Sequence, residues 1–246
     1  MVVIYGMIVT SDAVIVHGRD YGDTSRIVVA YTQEHGMLSL MAKGVRKPGN
    51  GMSGALESFQ ESRLTIYLKA GRELQVVSRA EVLRPRVGID RQYDHMVAGM
   101  SVCDVVLRTQ VVGVANAEVW EVVRDGLRRI DRGEQPWQDS VAVRLALARV
   151  MGFGLPLSGE VGGSVVMVRI ADGVVLSNGI AGADVVRMSG SAWRYLEAAN
   201  GGAAVEGNGD VLAVDRGEVE GFLRLYIGHH IERSVGLGVA ELFARM

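Results

Sequence analysis

The first eighty residues contain five short segments whose composition predicts β-strands: residues 13–17, 26–32, 37–42, 63–69 and 73–78. The fourth segment alternates apolar and polar side chains, the period of two that is typical of a strand with one buried face. Turn-prone triplets at 21–23 and 34–36 separate the first three segments. Five short strands joined by tight turns, with one longer loop between the third and the fourth, predict a small closed barrel.

The pattern changes near Pro85, which biases the residue before it towards an extended backbone. Beyond this proline, apolar side chains recur every three or four residues, as on the buried face of a helix: Tyr93, Met96, Val97, Met100 and Cys103. We therefore place a domain boundary here and predict one domain over residues 1–83 and a second over residues 84–246.

The second predicted domain is mostly helical. Four further segments have the helical pattern, residues 119–130, 141–151, 191–199 and 217–246, and Asp139 and Ser140 are candidate caps of the second. Residues 154–190 return to glycine-rich, β-branched sequence, with short strands expected at 165–170 and 174–176. A barrel followed by helices with a small β-rich insertion belongs to the α+β fold class.

The charge of the chain is nearly balanced, with 26 basic and 28 acidic side chains. The first eighty residues carry nine basic and seven acidic side chains, whereas residues 156–246 carry seven and eleven. An acidic second half weakens long-range attraction to a polyanion, so any contact with nucleic acid is expected to be a local patch.

Two further features of the composition limit the class of protein. No uncharged stretch is longer than residues 1–11, which are too few to span a bilayer, so we expect a soluble, cytoplasmic protein with no membrane partner. The single cysteine, Cys103, excludes an intramolecular disulfide framework and a zinc site built from cysteines.

The most informative local feature is a basic segment. Lys43, Arg46 and Lys47 lie within five residues and are followed by Pro48 and two glycines, which favour a mobile loop. Ammonium and guanidinium groups on such a loop can follow a phosphate backbone, because they replace its condensed counterions. A solvated hairpin tip is the alternative interpretation.

Other side chains of the predicted barrel could extend a nucleic-acid contact. The additional cations are Arg26, Arg63, Lys69 and Arg72. Tyr21, Tyr31 and Tyr67 could stack on unpaired bases, as aromatic side chains do in small barrels of this kind. Alternatively, each tyrosine is an ordinary half-buried strand residue.

The sequence contains no Walker loop, no strand–GxGxxG–helix unit and no GxSxG elbow. His229 and His230 are adjacent, and adjacent residues on a helix point about 100 degrees apart, which disfavours a shared metal. Cys103 lies two helical turns from His95 and is expected to be a buried small hydrophobe. We therefore predict that the protein is not an enzyme, with a hydrolase that uses His229 and His230 as the remaining alternative.

Residues 10–28 (TSDAVIVHGRDYGDTSRIV) and 34–48 (EHGMLSLMAKGVRKP) resemble the opening blocks of the RecO family of bacterial DNA repair proteins. The similarity continues through residues 71–75 and weakens after the predicted boundary. It resurfaces at residues 173–176, 183–189 and 222–234. The amino-terminal blocks are the specific part of the resemblance, because their order and spacing match together.

The resemblance implies a five-stranded OB-fold barrel, at residues 1–83, followed by a helical domain. It implies a recombination mediator that binds single- and double-stranded DNA and anneals complementary strands. With RecR, such a protein helps to load RecA onto strands coated by single-strand-binding protein, and RecF is a further partner. The bacterial cytoplasm, at the nucleoid, would be its location.

The resemblance also implies which residues contact DNA. The basic loop of the family corresponds to Lys43, Arg46 and Lys47. By extension, Arg26, Lys69 and Arg72 are candidate DNA contacts on neighbouring strands and turns.

Many members of the family hold zinc with four cysteines, in a segment that corresponds to residues 157–182. Here Ser177 and Ile180 occupy the places of the second cysteine pair, and the first pair falls near Gly159 and Gly162. Because none of these side chains supplies a thiolate, we expect no zinc and no other cofactor. A small apolar cluster is expected in its place: Val165, Val168, Val175 and Leu176.

Two functional hypotheses follow. The first is a DNA-annealing recombination mediator, and the second is a non-catalytic adaptor that chiefly binds RecR and the acidic tail of single-strand-binding protein. The mild charge of the first eighty residues motivates the second hypothesis, and one helical stripe could bind such a tail: Arg124, Arg128 and Arg132. An ordinary solvated helix face, balanced by Glu121, Asp125 and Asp131, is the alternative interpretation of this stripe.

Overall fold

The computed structural model describes residues 6–156, 163–176, 182, 184–201 and 215–234. It begins with five strands: β1 Met7–Tyr21, β2 Ser25–Thr32, β3 Gly36–Ala42, β4 Glu61–Leu68 and β5 Leu74–Arg84. Helices dominate the rest of the described chain, so the α+β class is confirmed. None of the helices in the described segments has the length and apolar character that a membrane crossing requires.

The five strands close into a barrel in the order β1–β2–β3–β5–β4. β1 is long enough to pair with β4 through residues 7–14 and with β2 through residues 13–21. The one parallel pair joins β3 to β5, where Ser39 lies opposite Leu74. Because β3 and β5 are parallel, the turn before β5 lies beside the first half of β3, whereas the loop after β3 leaves from its other end.

Alternate side chains of the strands fill the inside of the barrel. Leu64 and Ile66 of β4 are fully buried, whereas Arg63 and Tyr67 on either side of this pair are exposed, as the alternation in the sequence predicts. The long loop between β3 and β4 contributes three more core residues: Val45, Ala55 and Leu56.

Three helices belong to the same compact unit as the barrel: α1 Gly88–Arg91, α2 Tyr93–Thr109 and α3 Ala117–Arg132. The chain divides into two such units between Trp137 and Gln138. The sequence pattern changes at the end of β5, and the division into domains at residues 83 and 84 stays a prediction.

The segment that joins α2 to α3, residues 110–116, lies along β3. Val112 forms a parallel bridge with Met37. At Gly36 the two segments come so close that an added Cβ would lie 2.1 Å from the carbonyl oxygen of Val114. This contact fixes the segment to the start of β3.

α2 buries a different face from the one that its large apolar side chains predict. Cys103 is buried, but the other four residues of the predicted face are exposed: Tyr93, Met96, Val97 and Met100. The buried face is built mainly from smaller residues: His95, Ala98, Gly99, Val102, Val105 and Val106. The predicted orientation is wrong because small side chains let the helix approach its neighbours closely. At Gly99, for example, an added Cβ would lie 3.4 Å from the ring of Phe59.

The second compact unit begins within the first turn of α4 (Pro136–Val150). It contains two antiparallel strands, β6 Val165–Arg169 and β7 Val185–Ser189, and two helices, α5 Gly190–Asn200 and α6 Arg216–Ser234. Because α4 begins at Pro136, a residue that favours the first helical position, the prediction that Asp139 or Ser140 caps it is wrong.

Part of the predicted zinc-less insertion, residues 157–182, lies within the described segments. Val168 is fully buried and forms a bridge with Val175, so two residues of the expected apolar cluster meet. Val165 is exposed and does not join them. The four residues at the places of the family's zinc ligands lie outside the described residues: Gly159, Gly162, Ser177 and Ile180.

Candidate nucleic-acid interface

The basic loop, residues 43–53, is anchored to the barrel. Val45, in the middle of the cation run, is buried in the barrel core. Hydrogen-bonded turns order the loop, because Lys47 N–H donates to the Gly44 carbonyl at 3.1 Å and Asn50 Nδ2 donates to the same oxygen at 3.2 Å. The loop is therefore ordered, in contrast to the mobile loop that the sequence predicts, and it presents its cations at defined positions.

Arg46 fixes this loop to the turn between β1 and β2. Its backbone N–H donates to the Thr24 carbonyl at 2.9 Å, and its Nη1 donates to the Gly22 carbonyl at 3.2 Å. Its Nε also lies 3.3 Å from the carboxylate of Asp20. Both partners of this ion pair are exposed, so its contribution to stability is small and a phosphate can replace the carboxylate.

Lys43 and Lys47 are the cations of the loop that are open to a ligand. Both side chains are exposed. Neither forms an ion pair with another residue in the described part of the chain. Together with Arg46 they place three positive charges on one short loop beside the turn between β1 and β2.

Arg26 lies near this loop but is largely covered. Its guanidinium contacts Glu57 at 2.5 Å, and the side chain is 16% exposed. An added Cβ on Gly18 would lie 2.9 Å from Arg26 Nε, so the guanidinium packs against the backbone of β1. A phosphate can reach Arg26 only where it displaces Glu57.

Lys69 and Arg72 lie on the turn between β4 and β5, and both are exposed. Gln75 orders this turn, because its side-chain amide donates to the carbonyls of Lys69 and Arg72 at 3.1 and 2.5 Å. Leu74 lies opposite Ser39, so this turn sits beside the first half of β3, whereas the basic loop leaves from its end. Four residues of β3, about 13 Å at the usual strand rise, separate the two groups of cations.

Arg63 does not join either group. It lies on the outward face of β4 and forms a two-pronged ion pair with Asp12 of β1, at 2.7 and 3.1 Å. This hydrogen bonding raises the pKa of Arg63. The predicted contact at Arg63 is therefore on the β1–β4 surface of the barrel.

The outward face of β2 and β3 is closed. Tyr31 is fully buried, and its hydroxyl donates to Gln110 Oε1 and to the Asn116 carbonyl, each at 3.3 Å. Burial raises the pKa of Tyr31. The prediction that Tyr31 stacks on bases is wrong, because residues 110–116 contribute to the covering of this ring.

Tyr21 and Tyr67 remain exposed, at 51% and 49%. Tyr21 ends β1 beside the turn that holds Arg46, whereas Tyr67 lies on β4, opposite Ile8 of β1. Tyr21 leaves β1 on the side opposite Asp20, the partner of Arg46, so neither exposed ring lies on the side of the hairpin that the basic loop contacts.

Two residues that the sequence analysis did not single out share the face of Tyr21. His17, Arg19 and Tyr21 alternate along the second half of β1, so their side chains leave the strand on the same side. Burial and the charges of Arg19 and Arg26 lower the pKa of His17, which favours its neutral form. Their spacing of two residues is the signal that could have identified them, but the predicted strand ends at His17, whereas the observed β1 continues to Tyr21.

The arginine stripe of α3 is mostly engaged in ion pairs. Arg124 pairs with Asp125 at 2.8 Å, and Arg128 pairs with Glu61 of β4 at 2.5 Å and with Asp125 at 3.2 Å. Arg132 is exposed. The role of this stripe in partner binding stays a prediction, with Arg128 already committed to holding α3 against the barrel.

The remaining chemically active side chains do not form a site within the described residues. Cys103 is buried, and burial raises the pKa of its thiol to about 12. The rings of His229 and His230 are nearly perpendicular at 5.4 Å, and His230 stacks on Phe153. The described segments contain no group of three or more side chains that could hold a metal ion.

Residues 7–86, which include the whole barrel, match the protein-family model described as Recombination protein O N terminal. Curated bacterial proteins with the name DNA repair protein RecO are similar to the chain, and three of them are described here. The one from Pelotomaculum thermopropionicum is 29% identical over 143 residues, which cover 58% of this chain and 55% of that protein.

The protein from Bacillus subtilis is 24% identical over 147 residues, 60% of this chain and 57% of that protein. The protein from Rubrobacter xylanophilus is 27% identical over 158 residues, 63% of this chain and 62% of that protein. In the first of these matches the chain spans little more than half the length of the curated relative.

Proposed function

We propose that this chain, whose residues 7–86 match the amino-terminal model of the RecO family, acts in DNA repair as a recombination mediator that binds DNA. The observation that carries the proposal is the anchored basic loop, with Lys43, Arg46 and Lys47 at its surface. A barrel with this strand order and a long loop after the third strand fits the OB-fold, a class that binds oligonucleotides.

The proposed mechanism is electrostatic. The loop neutralises phosphates of one strand, and Lys69 and Arg72 form a second group of exposed cations about 13 Å away by the strand rise of β3. Neutralisation lowers the repulsion between two strands, so that complementary bases can meet and anneal. Arg26 contributes only after a phosphate has displaced Glu57, which makes it a secondary contact.

Partners belong to the same proposal. RecR, single-strand-binding protein, RecF and RecA are the proteins with which such a mediator would act. We expect the protein to work without zinc, because no thiolate is available at the places of the family's ligands. Metal analysis of the purified protein should find no stoichiometric zinc, and one zinc per chain would contradict this expectation.

The test of DNA binding replaces three cations at once. We expect the triple variant Lys43→Ala, Arg46→Ala and Lys47→Ala to bind a fluorescent single strand at least about tenfold more weakly at low salt, because three phosphate contacts are lost. Strand annealing should slow in parallel. Fluorescence anisotropy and a strand-pairing assay measure the two effects.

A matched control removes the same charge elsewhere. The variant Arg79→Ala, Arg91→Ala and Arg132→Ala takes three exposed arginines from other parts of the unit. It should bind with nearly wild-type affinity. Equal losses in the two triple variants would mean that net charge, and not the loop, governs binding.

The adaptor is the second candidate function, favoured by the ion pairs that engage Arg26 and Arg46. In that case DNA would be held chiefly by RecR and by single-strand-binding protein. Titration of the protein with a single strand and with an acidic peptide separates the candidates. Strong peptide binding with negligible strand binding supports the adaptor.

A further inference from the structure

Four outward side chains line up across strands β1, β4, β5 and β3 of the barrel. In the strand register Ile8 lies opposite Tyr67, and Tyr67 lies opposite Val76 on its other side. Val76 in turn lies opposite Met41 of β3. Residues that alternate with them, Ile66 among them, belong to the barrel core. We call the row Ile8, Tyr67, Val76 and Met41 the outer strip, which is about 14 Å long at the usual strand spacing.

Tyr67 is the aromatic residue of the outer strip, and its ring is half-exposed. Its direct neighbours across the strands are Ile8, which is also exposed, and Val76, which is partly buried. The Cβ atoms of directly opposite residues lie about 5 Å apart, so two aliphatic side chains flank the ring. The ring therefore has a defined place on the sheet and is accessible to a ligand.

A cation lies beside Tyr67 on the same side of the sheet. Lys69 follows two residues later, and an added Cβ on Gly6 would lie 3.9 Å from the Cβ of Lys69, so the pairing of β1 with β4 continues to this residue. Alternation therefore directs Lys69 outward, whereas Leu68 packs against the core. The Cα atoms of Tyr67 and Lys69 are separated by two strand residues, about 7 Å. Arg72 on the same turn is a second exposed cation.

The outer strip crosses β3 midway between the two groups of exposed cations. Met41 comes two residues before Lys43, where the basic loop leaves β3. It comes two residues after Ser39, which lies opposite Leu74 beside the turn that carries Lys69. A single strand that reaches from Lys69 to Lys43 along the outside of the barrel therefore crosses the outer strip.

The face that many barrels of this class use for nucleic acid is closed in this protein. Oligonucleotides commonly lie across the second and third strands of an OB-fold. Here the outward side chains of β2 and of the first half of β3 are buried: Ile27, Val29, Tyr31, Met37 and Ser39. The outer strip is the continuation of this face from Met41 onward, where outward side chains become accessible.

We propose that the outer strip binds unpaired bases of a single strand, with Tyr67 as the stacking residue and Lys69 as the contact of the adjoining phosphate. This inference rests on the proposed function and adds to it the surface that receives the bases. The basic loop contacts only the backbone, whereas the outer strip distinguishes an unpaired strand from a duplex.

The chemistry of the outer strip accounts for this selectivity. The faces of bases within a duplex are already stacked on each other, whereas an unpaired base can lie flat on an aromatic ring. Every base has such a face, so the site reads a single strand without sequence preference. The ring of Tyr67 and the ammonium group of Lys69 alternate at a spacing comparable with the distance from a base to its own phosphate, which favours a nucleotide over an acidic peptide.

The test measures the binding of a fluorescent oligothymidylate to the full chain by anisotropy. Tyr67→Ala should weaken binding about 5- to 150-fold, the usual effect of losing one stacked base. Tyr67→Leu should show a similar loss, because leucine preserves the packing against Ile8 and Val76 but has no aromatic face. Tyr67→Phe should bind like the wild type, and the affinity for duplex should stay unchanged in all three variants.

Tyr21→Ala is the matched control, because Tyr21 has nearly the same exposure but ends β1, outside the outer strip. It should bind like the wild type. On an oligonucleotide with abasic sites at every position, the wild type and Tyr67→Ala should bind equally. Lys69→Ala should weaken the binding of both oligonucleotides and lower the magnitude of the salt slope by about 0.7, since it removes one phosphate contact.

Three results would overturn the base-binding site. Equal affinities of Tyr67→Ala and Tyr21→Ala for oligothymidylate would show that the ring makes no contact. A loss that persists on the abasic strand would show that the ring acts on the backbone. A loss of affinity for an acidic peptide, with the affinity for the single strand unchanged, would make the outer strip a surface for protein docking.

The outer strip and the basic loop can fail separately. If the loop triple variant binds normally while Tyr67→Leu binds weakly, the loop makes no phosphate contact and the base contact stands. If Tyr67→Leu binds normally while the loop variant binds weakly, the proposed function stands and the base-binding site falls. Absence of any strand binding by the wild type overturns both.

Discussion

At the scale of single residues, Gly36 shows how closely the barrel and the segment between α2 and α3 are packed. Its backbone has a φ of 62°, a conformation that residues with a Cβ rarely adopt. A Cβ there would also lie 2.1 Å from the carbonyl oxygen of Val114, so the backbone of one segment has to move. Both effects act at the place where residues 110–116 meet β3.

Gly36→Ala should therefore lower the free energy of unfolding by about 3 kcal/mol or more, through backbone strain and collision together. Urea unfolding followed by circular dichroism measures the change. Gly22→Ala is the control, since Gly22 has a similar φ of 57° but no atom within 4 Å of an added Cβ. Gly22→Ala should lower the free energy of unfolding by only about 1 kcal/mol. Equal losses at the two glycines would show that the backbone moves to avoid the collision at Gly36 at no cost.

At the scale of elements, Glu61 links β4 to α3. Its buried carboxylate accepts two hydrogen bonds from Arg128, at 2.9 and 2.5 Å. Arg86, whose side chain is fully buried, approaches the same carboxylate at 3.5 Å and donates to the Phe59 carbonyl at 3.0 Å. One carboxylate thus balances two cations at the junction of barrel and helices.

Glu61→Gln should destabilise this junction strongly, because it leaves a buried guanidinium without its counter-charge. The expected loss is about 3 kcal/mol in the free energy of unfolding, measured by urea denaturation. Asp125→Asn removes the exposed partner of Arg128 and should cost less than about 1 kcal/mol. A loss at Glu61 no larger than that at Asp125 would contradict a supporting role for the buried pair.

Two elements, β4 and α2, show how far the local sequence predicts which residues are buried. The middle of β4 follows from alternation alone, since Leu64 and Ile66 are buried and Arg63 is exposed, whereas the burial of Glu61 does not follow from the pattern. In α2 the helix is correct but its predicted buried face is wrong, because the periodicity of large side chains does not show where small residues allow close packing. Val97 and Met100 look like core residues until the position of Gly99 against Phe59 is known.

At the scale of the whole molecule, long-range contacts decide which candidate site residues are accessible. Lys43 and Lys47 could be recognised from the sequence, because a short basic loop exposes its cations whatever surrounds it. Tyr31 could not, since its partner Gln110 lies 79 residues away. The pairing of Arg26 with Glu57 spans 31 residues and is equally hidden from local patterns.

The proposed DNA binding depends on phosphate contacts by Lys43, Arg46 and Lys47, and the salt dependence of single-strand binding tests them most directly. Each phosphate contact contributes about 0.7 to the slope of log affinity against log salt for a single strand. Replacing the three cations by alanine should reduce the magnitude of that slope by about 2. An unchanged slope, with the variant still folded, would contradict the account.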